Sequence, residues 1–389
     1  MVNARIFIFF LISFLATVCP AQDLQITHGP FLQAVTETEV TVIWTTSKPA
    51  TSWVELADGD TKSFYEKEQR RVYEMIDGIR HTGTLHRIRI RDLSPGMTYQ
   101  YRICSQAVES DKPYDLSLGK VVATDVFRKA PLRFKTLNPQ QATASVCIVN
   151  DIHGNNSKLE DLLANVKFEN TDAVIFNGDM VDYIMDENTL FNGFLDKSTS
   201  LFASEVPIFY ARGNHETRGP FRERFADYFP TPDNQLYYCY RIGPVLFISL
   251  DCGEDKADSD YSYFGMVKFE EYRLQQQEWL RELVQTQAFK DAPFKVVVLH
   301  IPPKGTWHGS IDLAEKFLPV LNHQGIDVML CGHTHRYKYI PKEENPGADF
   351  PILINGAESL LQLKGNRQEM VIKLIDRKQN TVARHRFAK

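Results

Sequence analysis

The sequence lacks the surplus of positive charge that usually accompanies binding to nucleic acid. Its 389 residues include 44 Lys and Arg against 49 Asp and Glu, so the formal net charge is -5. A chain with this balance has no strongly basic surface with which to follow a polyanion. We therefore expect no nucleic acid as a stoichiometric partner.

Cysteine is also scarce, and the six residues fit no zinc-finger spacing. Cys147 and Cys331 lie in apolar, strand-like runs, where a buried free thiol is the ordinary state. No disulfide pairing follows from the sequence, although an exported chain would permit one.

Apolar runs long enough to span a membrane are absent outside the N-terminus. There, Arg5 precedes a largely apolar stretch at 6–18, and the Cys-Pro-Ala that follows offers small residues to a signal peptidase. We interpret residues 1–21 as a signal peptide cleaved after Ala21. We expect an exported protein, periplasmic or extracellular, with no transmembrane helix in the mature chain. Two alternatives stay open: a membrane anchor, for which the run is short, and a lipid anchor through Cys19.

Length and an apolar content of 43% favour two domains, each with a core of its own. From 24 to 137 the pattern is all β. Residues 40–46 alternate and are rich in β-branched side chains, with Trp44 as a core anchor. Tyr99 and Tyr101 follow a turn, and a tyrosine at such a corner ties a sandwich strand to its neighbouring loop. The stretch resembles a fibronectin type III-like domain.

A short polar linker at 138–141 separates this module from a second domain at 142–389. Here apolar β runs alternate with amphipathic helices, which is typical of a sheet covered on both faces. Predicted strands cover 145–150, 173–177, 207–211, 245–250, 295–299 and 328–331. Predicted helices cover 157–166, 269–286, with Leu274, Trp279, Leu280 and Leu283 facing the core, and 312–318, which Pro319 ends or kinks.

Side chains that bind metals follow five of these predicted strands. In open α/β sheets, ligands bind outside the carboxyl ends of the strands, so residues at those ends would gather in one cavity. Each motif alone is a weak signal, but five in order, each at a strand end, predict a metal site. The residues are Asp151 and His153 after the first strand, Asp179 after the second, Asn214 after the third, His300 after the fifth, and His333 and His335 after the sixth.

The types of these side chains point to particular metals. Imidazole and carboxylate together suit iron, zinc and manganese. Asp-x-His and His-x-His place two side chains on the same side of an extended backbone, so both members of each pair can reach one site. A carboxylate can bridge two cations, and an asparagine ligand adds no negative charge. The pattern predicts divalent or trivalent transition-metal ions, with no residues set aside for any other cofactor.

The order of the motifs carries a family resemblance. Asp-x-His, Gly-Asp, Gly-Asn-His-Glu, a later His and Gly-His-x-His, between residues 145 and 337, resemble the signature of calcineurin-like metallophosphoesterases. The module ahead of them resembles the N-terminal domain of purple acid phosphatases. The resemblance implies a four-layer α/β fold for the second domain, a β-sandwich flanked by helices. It also implies one metal held by Asp151, His153, Asp179 and His335, a second held by Asp179, Asn214, His300 and His333, and a non-ligand His215 that faces the substrate.

One position departs from the purple acid phosphatases, which place a metal-binding tyrosine three residues after the bridging Asp. That position is Asp182 here, Tyr183 comes one later, and His153 has no counterpart in those enzymes. We therefore expect a histidine in place of the tyrosine ligand and no iron-tyrosinate colour. Tyr183 is expected to pack near the site.

The resemblance and two-metal chemistry together imply hydrolysis of a small phosphate ester. A hydroxide that bridges the ions held by Asp179 would attack phosphorus, and His215 would protonate the leaving group or stabilise its charge. Glu216 either holds His215 or is a solvated loop carboxylate. Arg212 either contacts phosphate or pairs with a carboxylate. We expect His308 in a surface loop, with a place in the substrate pocket as the alternative.

Three functions remain open at this point. A phosphomonoesterase is favoured, and a phosphodiesterase on the same metal centre is the nearest alternative. A non-catalytic exported binding protein would require a broken ligand set, whereas every expected position is filled. The N-terminal module could also shape the substrate cleft, because pockets often lie between domains.

Overall fold

The computed structural model describes residues 23–59, 63–66 and 68–389. The predicted signal peptide at 1–21 lies outside the described residues and stays a prediction. Among the helices of the described part of the chain, none has the length and apolarity of a membrane span.

The N-terminal part of the described chain is built from strands, as predicted. Seven of them share one hydrogen-bonded network, and two form a separate hairpin. The network contains β1 (Ile26–Gln33), β2 (Val40–Asp58), β3 (Arg70–Tyr73), β6 (Gly83–Ile90), β7 (Thr98–Lys112), β8 (Asp115–Ala123) and β9 (Leu132–Lys135), and the hairpin pairs β4 (Met75–Ile76) with β5 (Ile79–Arg80).

The 19-residue strand β2 joins two sets of strands in this network. Its first half pairs with β1 and β6, whereas its second half pairs with β3 and β7. Trp44 on the first half is buried, and its indole N–H donates to Ser105 Oγ on β7 across the core, at 2.9 Å. The backbone N–H of Ser94 donates to Tyr99 Oη at 2.8 Å, so a tyrosine ties its strand to the neighbouring loop as predicted.

Two six-stranded sheets follow in the rest of the described chain. The first contains, in spatial order, β12 (Ile208–Ala211), β11 (Ala173–Asn177), β10 (Thr143–Val149), β19 (Ser359–Asn366), β20 (Glu369–Asp376) and β21 (Thr381–Ala388). The second contains β13 (Tyr238–Ile242), β14 (Val245–Leu250), β15 (Phe294–Leu299), β16 (Val328–Cys331), β18 (Ile352–Ile354) and β17 (Lys338–Ile340). Strands β10, β11 and β12 are mutually parallel, and so are β14, β15, β16 and β18.

Helices cover the outer face of each sheet. They are α1 (Asn156–Leu163), α2 (Glu187–Leu190), α3 (Asp196–Ser198), α4 (Phe225–Tyr228), α5 (Phe269–Leu283), α6 (Gln287–Lys290) and α7 (His308–Leu321). On β10, Val146 and Ile148 pack between the two sheets, whereas Cys147 and Val149 pack toward the helices. Leu280 of α5 packs on the far face of the second sheet. The layer order is helix, sheet, sheet, helix, which confirms the predicted four-layer fold.

The long helices differ from the prediction in two details. Pro319 does not end α7, which continues to Leu321, because the buried side chains of its last turn favour helix over a turn into solvent. Leu274 of α5 was expected to face the core, but its side chain is exposed. Arg273 and Gln276 occupy the buried face of α5 there and bind the loop that follows β14. The predicted domain limits at 24–137 and 142–389 stay a prediction.

The cysteines of the described residues are free thiols. Cys147 and Cys331 are both buried in the apolar layers beneath the helices, as the sequence indicated. Burial raises the pKa of the Cys147 thiol to about 12. These two thiols are therefore packing residues with little nucleophilic character.

The N-terminal module packs directly against the two-sheet part. Phe31 and Ile43 belong to the apolar cluster beneath α1 and α4, and the ring of Phe191 lies edge-on to Phe31. Tyr101 Oη donates to the carbonyl oxygen of Ser204 at 2.6 Å. The two parts thus share apolar and polar contacts and hold each other in place.

Candidate metal centre

The predicted ligands gather because parallel strands end at the same edge of their sheets. Strands β10, β11 and β12 end next to one another in the first sheet, and β15 and β16 do so in the second. The carboxyl ends of the two sets face one cleft. The residues that follow those ends are Asp151, His153, Asp179, Asn214, His300, His333 and His335.

The backbone at these strand ends is left-handed rather than extended. The φ angles are 53° at Asp151, 53° at His153, 57° at Asp179, 68° at His333 and 58° at His335. Residues other than glycine rarely adopt this conformation, and each instance costs free energy. The expectation that Asp-x-His and His-x-His act through an extended backbone was therefore wrong. Tight turns, which the fold over-determines, aim these side chains into the cleft.

Two glycines allow these turns to approach one another. A Cβ atom on Gly213 would lie 2.3 Å from Asp179 Oδ1, and one on Gly178 would lie 2.5 Å from His300 Nδ1. Gly178 also has a φ of 78°, which side-chain-bearing residues disfavour. The absence of these two side chains brings three loops within contact distance.

A first group of side chains contains Asp151, His153 and His335. Their potential ligand atoms all lie within 4.8 Å of one another. His335 Nε2 is 3.2 Å from Asp151 Oδ1 and 3.2 Å from His153 Nε2. Nitrogen and oxygen donors at this spacing can share one transition-metal ion.

A second group lies beside the first and contains Asp179, His300 and His333, again within 4.8 Å. His300 Nε2 is 2.9 Å from Asp179 Oδ2 and 3.9 Å from Asp151 Oδ1. Because such a short distance separates the two groups, they form one cluster with two lobes.

Four buried atoms in the cluster have no hydrogen bond of good geometry among the described residues, although His300 Nε2 and Asp151 Oδ1 each have an oppositely charged neighbour within 3.2 Å. They are Asp151 Oδ1, Asn214 Oδ1, His300 Nε2 and His333 Nε2. Buried polar atoms are almost always paired, so four unpaired atoms converging on one cleft require a common partner. Once His300 gives up its Nε2 proton, all four can donate an electron pair, which is what a metal cation accepts. The donor set therefore fits metal ions.

The electrostatics of the cluster also favour a cation. Burial raises the pKa of Asp179, but His300 and His215 outweigh burial and hold that pKa below its usual range. Burial lowers the pKa of His300, but Asp179 and Asp151 outweigh it and raise the pKa to about 10. Burial, together with the charge on His300, lowers the pKa of His333 to about 4. Two buried carboxylates thus draw positive charge into the cleft.

Contacts behind the cluster orient its imidazoles. Asp182 Oδ1 lies 2.7 Å from His153 Nδ1, and the Asn177 carbonyl oxygen lies 2.6 Å from His300 Nδ1. Since an ionised carboxylate and a carbonyl only accept, both Nδ1 atoms donate and both Nε2 atoms are left to face the cleft. This arrangement is typical of metal-binding histidines.

His215 stands at the rim of the cluster and is partly exposed. Its Nδ1 donates to the carbonyl oxygen of Asp182 at 2.9 Å, and its backbone N–H donates to Asp179 Oδ1 at 3.0 Å. Its Nε2 is 3.8 Å from Asp179 Oδ2. The imidazole is therefore anchored on one side and presents Nε2 to the cleft. Tyr183 lies next to it, with ring centroids 6.4 Å apart, as expected.

Both expectations for Glu216 were wrong. The side chain is fully buried and does not bind His215. Its carboxylate accepts the backbone N–H groups of Asp179 and Gly213, each at 3.0 Å, and the hydroxyl of Tyr210 at 2.8 Å. Burial and the nearby Asp179 raise the pKa of Glu216. Glu216 thus fastens two loops together behind the site.

Two other residues left open by the sequence have defined places. Arg212 Nε lies 2.8 Å from Asp251 Oδ2, so Arg212 pairs with a buried carboxylate. His308 is the first residue of α7 rather than part of a loop, and its Nε2 pairs with Glu270 at the surface, at 2.9 Å.

Sequence reasoning missed three residues near the site, which are Arg218, Glu254 and Trp307. Arg218 Nη1 lies 3.3 Å from His215 Nε2, and its other nitrogens bind Glu254. Trp307 lies edge-on to His333, with ring centroids 4.6 Å apart. A signal for Glu254 was present in the sequence, because the predicted strand β14 ends next to Asp251 and Glu254 but carries no metal-ligand motif.

Comparison with protein families identifies both parts of the chain. Residues 144–337 match the calcineurin-like phosphoesterase family, and residues 30–116 match the N-terminal domain of purple acid phosphatases. The first match spans every residue of the metal cluster.

Acid phosphatase type 7 from two mammals is similar in sequence. The Homo sapiens protein is 24% identical over 328 residues, which cover 77% of this chain and 67% of the relative. The Mus musculus protein is 28% identical over 217 residues, which cover 54% of this chain and 45% of the relative. The match thus spans two thirds of one relative and less than half of the other.

Solved structures resemble the chain more distantly. The protein TT1561 of Thermus thermophilus has 17% identity and a TM-score of 0.37, covering 58% of this chain and 100% of its own. A cold-active protein-tyrosine phosphatase of a Shewanella species has 12% identity and a TM-score of 0.30, covering 93% and 100%. At such low scores these structures say nothing further about the chain.

Proposed function

Because this chain belongs to the calcineurin-like phosphoesterase family, we propose that it is a phosphatase that hydrolyses phosphate esters at a centre of two metal ions. The observation that carries the proposal is the set of four buried, unpaired donor atoms that converge on one cleft. A purely structural role would leave these atoms unsatisfied at a cost in stability.

The two lobes of the cluster suggest how the ions are divided. One ion would be held by Asp151, His153 and His335, and the other by Asn214, His300 and His333, with Asp179 between them. Imidazole and carboxylate ligands suit iron, zinc or manganese. Because Asp182 orients His153 where purple acid phosphatases have a tyrosine, we expect no tyrosinate colour.

When bound, the ions would supply Lewis acidity and lower the pKa of water in the site. The residues of the chain position the substrate and move protons. His215 presents Nε2 to the cleft while Nδ1 stays bonded to the Asp182 carbonyl. Because Nδ1 keeps its own proton in that bond, Nε2 is the nitrogen that would take up a proton and pass it to the leaving oxygen, without disturbing the anchored side of the ring. Phosphomonoesters are the favoured substrates, in line with the acid phosphatases to which the chain is similar.

Metal analysis of the purified protein tests the proposal. We expect close to two transition-metal ions per chain, and the Asp179→Asn variant should lose them together with hydrolysis of an aryl phosphate. Asp349→Asn, which alters a surface carboxylate bonded to the backbone N–H of His323, serves as the matched control and should keep both. A wild-type protein that binds no metal after reconstitution would refute the proposal.

A phosphodiesterase on the same centre is the alternative. Comparing turnover of nitrophenyl phosphate and bis(nitrophenyl) phosphate separates the two, because the metal ligands are common to both activities. A higher kcat/KM for the diester would overturn the monoesterase assignment and leave the metal centre standing.

We also propose that the protein is exported after cleavage behind Ala21. N-terminal sequencing of protein recovered from the extracytoplasmic fraction should begin at Gln22. A lipidated Cys19 at the N-terminus would instead support the lipid-anchored alternative.

A further inference from the structure

Arg218 places a fixed guanidinium group at the rim of the metal cluster. Its Nε and Nη2 atoms bind the two carboxylate oxygens of Glu254, each at 2.7 Å. The remaining nitrogen, Nη1, is not held by that carboxylate and lies 3.3 Å from His215 Nε2. Nη1 therefore donates to the histidine that borders the cleft, and the side chain is about a quarter exposed.

Glu254 is itself held from behind. Its side chain is buried and also accepts the hydroxyl of Thr217 at 3.0 Å. The fully buried Arg273 donates to the carbonyl oxygens of Cys252 and Glu254 and is anchored by Asp312 at 2.9 Å. Two arginines and two carboxylates thus fix the loop after β14. Such a paired guanidinium loses little freedom when it binds a ligand.

The position of Nη1 relative to the cluster is suited to phosphate. His215 Nε2, its neighbour, lies 3.8 Å from Asp179 Oδ2. A phosphoryl group held in the cleft beside Asp179 would therefore bring a non-bridging oxygen toward both His215 and Arg218. Arginine is well matched to such oxygens because its N–H groups are always charged and lie in one plane.

We propose that Arg218 binds a non-bridging oxygen of the substrate phosphoryl group and thereby selects phosphomonoesters over phosphodiesters. The inference rests on the proposed hydrolysis and adds a specificity residue to it. A monoester offers three terminal oxygens and up to two negative charges, whereas a diester carries a second ester group in place of one of those oxygens. Arg218 neither gives nor takes a proton: water supplies the new P–O bond, the ester P–O bond breaks, and the alcohol leaves protonated.

The test compares the holoenzyme with Arg218→Met and Arg218→Lys on the two nitrophenyl esters. For Arg218→Met we expect kcat/KM for the monoester to fall about ten- to a hundredfold, as for loss of a charge-assisted hydrogen bond. The value for the diester should change less than about threefold. Arg218→Lys should recover part of the monoester loss. Arg222→Met is the matched control, since Arg222 bonds the Gly219 carbonyl in its own loop.

A binding measurement separates this inference from the proposed activity. Calorimetric titration of the metal-loaded protein with inorganic phosphate should show weaker binding in Arg218→Met by a similar factor, with metal content unchanged. Equal losses on both esters, with unchanged phosphate affinity, would overturn the inference and assign Arg218 a structural role. If Arg218→Met does not fold, Arg218→Lys carries the test through the ratio of the two kcat/KM values. Absence of hydrolysis in the loaded wild-type protein would instead refute the proposed function.

Discussion

At the scale of single residues, Asp179 is where the contacts of the site converge. Its carboxylate lies 2.9 Å from His300 Nε2 and accepts the backbone N–H of His215 at 3.0 Å. Its own backbone N–H donates to Glu216 at 3.0 Å. The buried carboxylate of Asp179 therefore links His300, at the end of β15, to the loop after β12 that carries His215. A change at this residue should affect both lobes of the cluster.

A variant of His215 tests whether this residue acts in proton transfer and not in metal binding. The His215→Ala variant should keep its metal content, because the imidazole is outside the two lobes, but kcat should fall by about 10²–10⁴. Metal analysis and steady-state kinetics on nitrophenyl phosphate measure the two quantities. His308→Ala, at a surface ion pair, should behave as wild type. Unchanged turnover in His215→Ala would remove this residue from the mechanism.

Asp182 tests the orienting contact behind His153. Replacing its carboxylate in Asp182→Asn removes the charged acceptor 2.7 Å from His153 Nδ1, so metal affinity should fall about 10- to 100-fold. Competition with a chelating dye measures this affinity. Tyr183→Phe, at the adjacent position, is the control and should keep the affinity of the wild-type protein. Equal affinities for Asp182→Asn and wild type would contradict the orienting role.

The sequence located the candidate ligands but not the residues that support them. Asp151, His333 and the other candidate ligands belong to short motifs at strand ends, which can be recognised directly in the sequence. Glu216 was misread because its partners, the backbone N–H groups of Asp179 and Gly213, come together only in the folded chain. Arg218 was missed for the same reason, since Glu254 lies 36 positions away.

At the scale of elements, the site depends on turns that pack without intervening side chains. Five of the candidate ligands have left-handed backbone, and Gly178 and Gly213 lie between them. The strands themselves are ordinary apolar strands. The strained backbone lies at the ends of these strands, so the free-energy cost of forming the site falls on a few loop residues and not on the sheets.

Gly213 tests how closely these turns must approach. In Gly213→Ala the new Cβ would lie 2.3 Å from Asp179 Oδ1 and 2.6 Å from its backbone nitrogen. We expect a loss of about 1–3 kcal/mol in the free energy of unfolding, together with most of the activity. Urea denaturation and kinetics measure both. Gly347→Ala, whose Cβ would meet its nearest neighbour at 3.4 Å, is the control; equal stability of the two variants would contradict the packing argument.

The elements were predictable from sequence where burial alone decided them. Strands 173–177, 245–250 and 328–331 were predicted with the bounds that the structure has. Helix α5 was found together with most of its core face, since Leu280 and Leu283 are buried. Leu274 was misassigned, because Arg273 and Gln276 are buried there through hydrogen bonds rather than hydrophobicity. Apolar periodicity cannot detect a polar side chain that faces inward to bind a loop.

At the scale of the whole molecule, metal binding and stability should be linked. Two buried carboxylates share one cleft, and any cation bound there stabilises the folded chain relative to the unfolded one. At a free metal concentration of about 100 times Kd, one site contributes about 2.7 kcal/mol. Removal of metal by a chelator should lower Tm measurably in a calorimetric scan, and re-addition should restore it. Asp179→Asn should show little change, and a chelator-insensitive wild-type Tm would contradict the linkage.

The contact between the two parts of the chain limits how this protein can be recombined. Phe31 and Ile43 complete an apolar layer that otherwise belongs to the catalytic half, and Tyr101 bonds the carbonyl of Ser204 there. A chimera that joins residues 24–137 of one relative to the catalytic half of another would expose that layer unless both sides were exchanged together. The polar linker at 138–141 is thus a poor crossover point, and the two parts should be inherited as one unit.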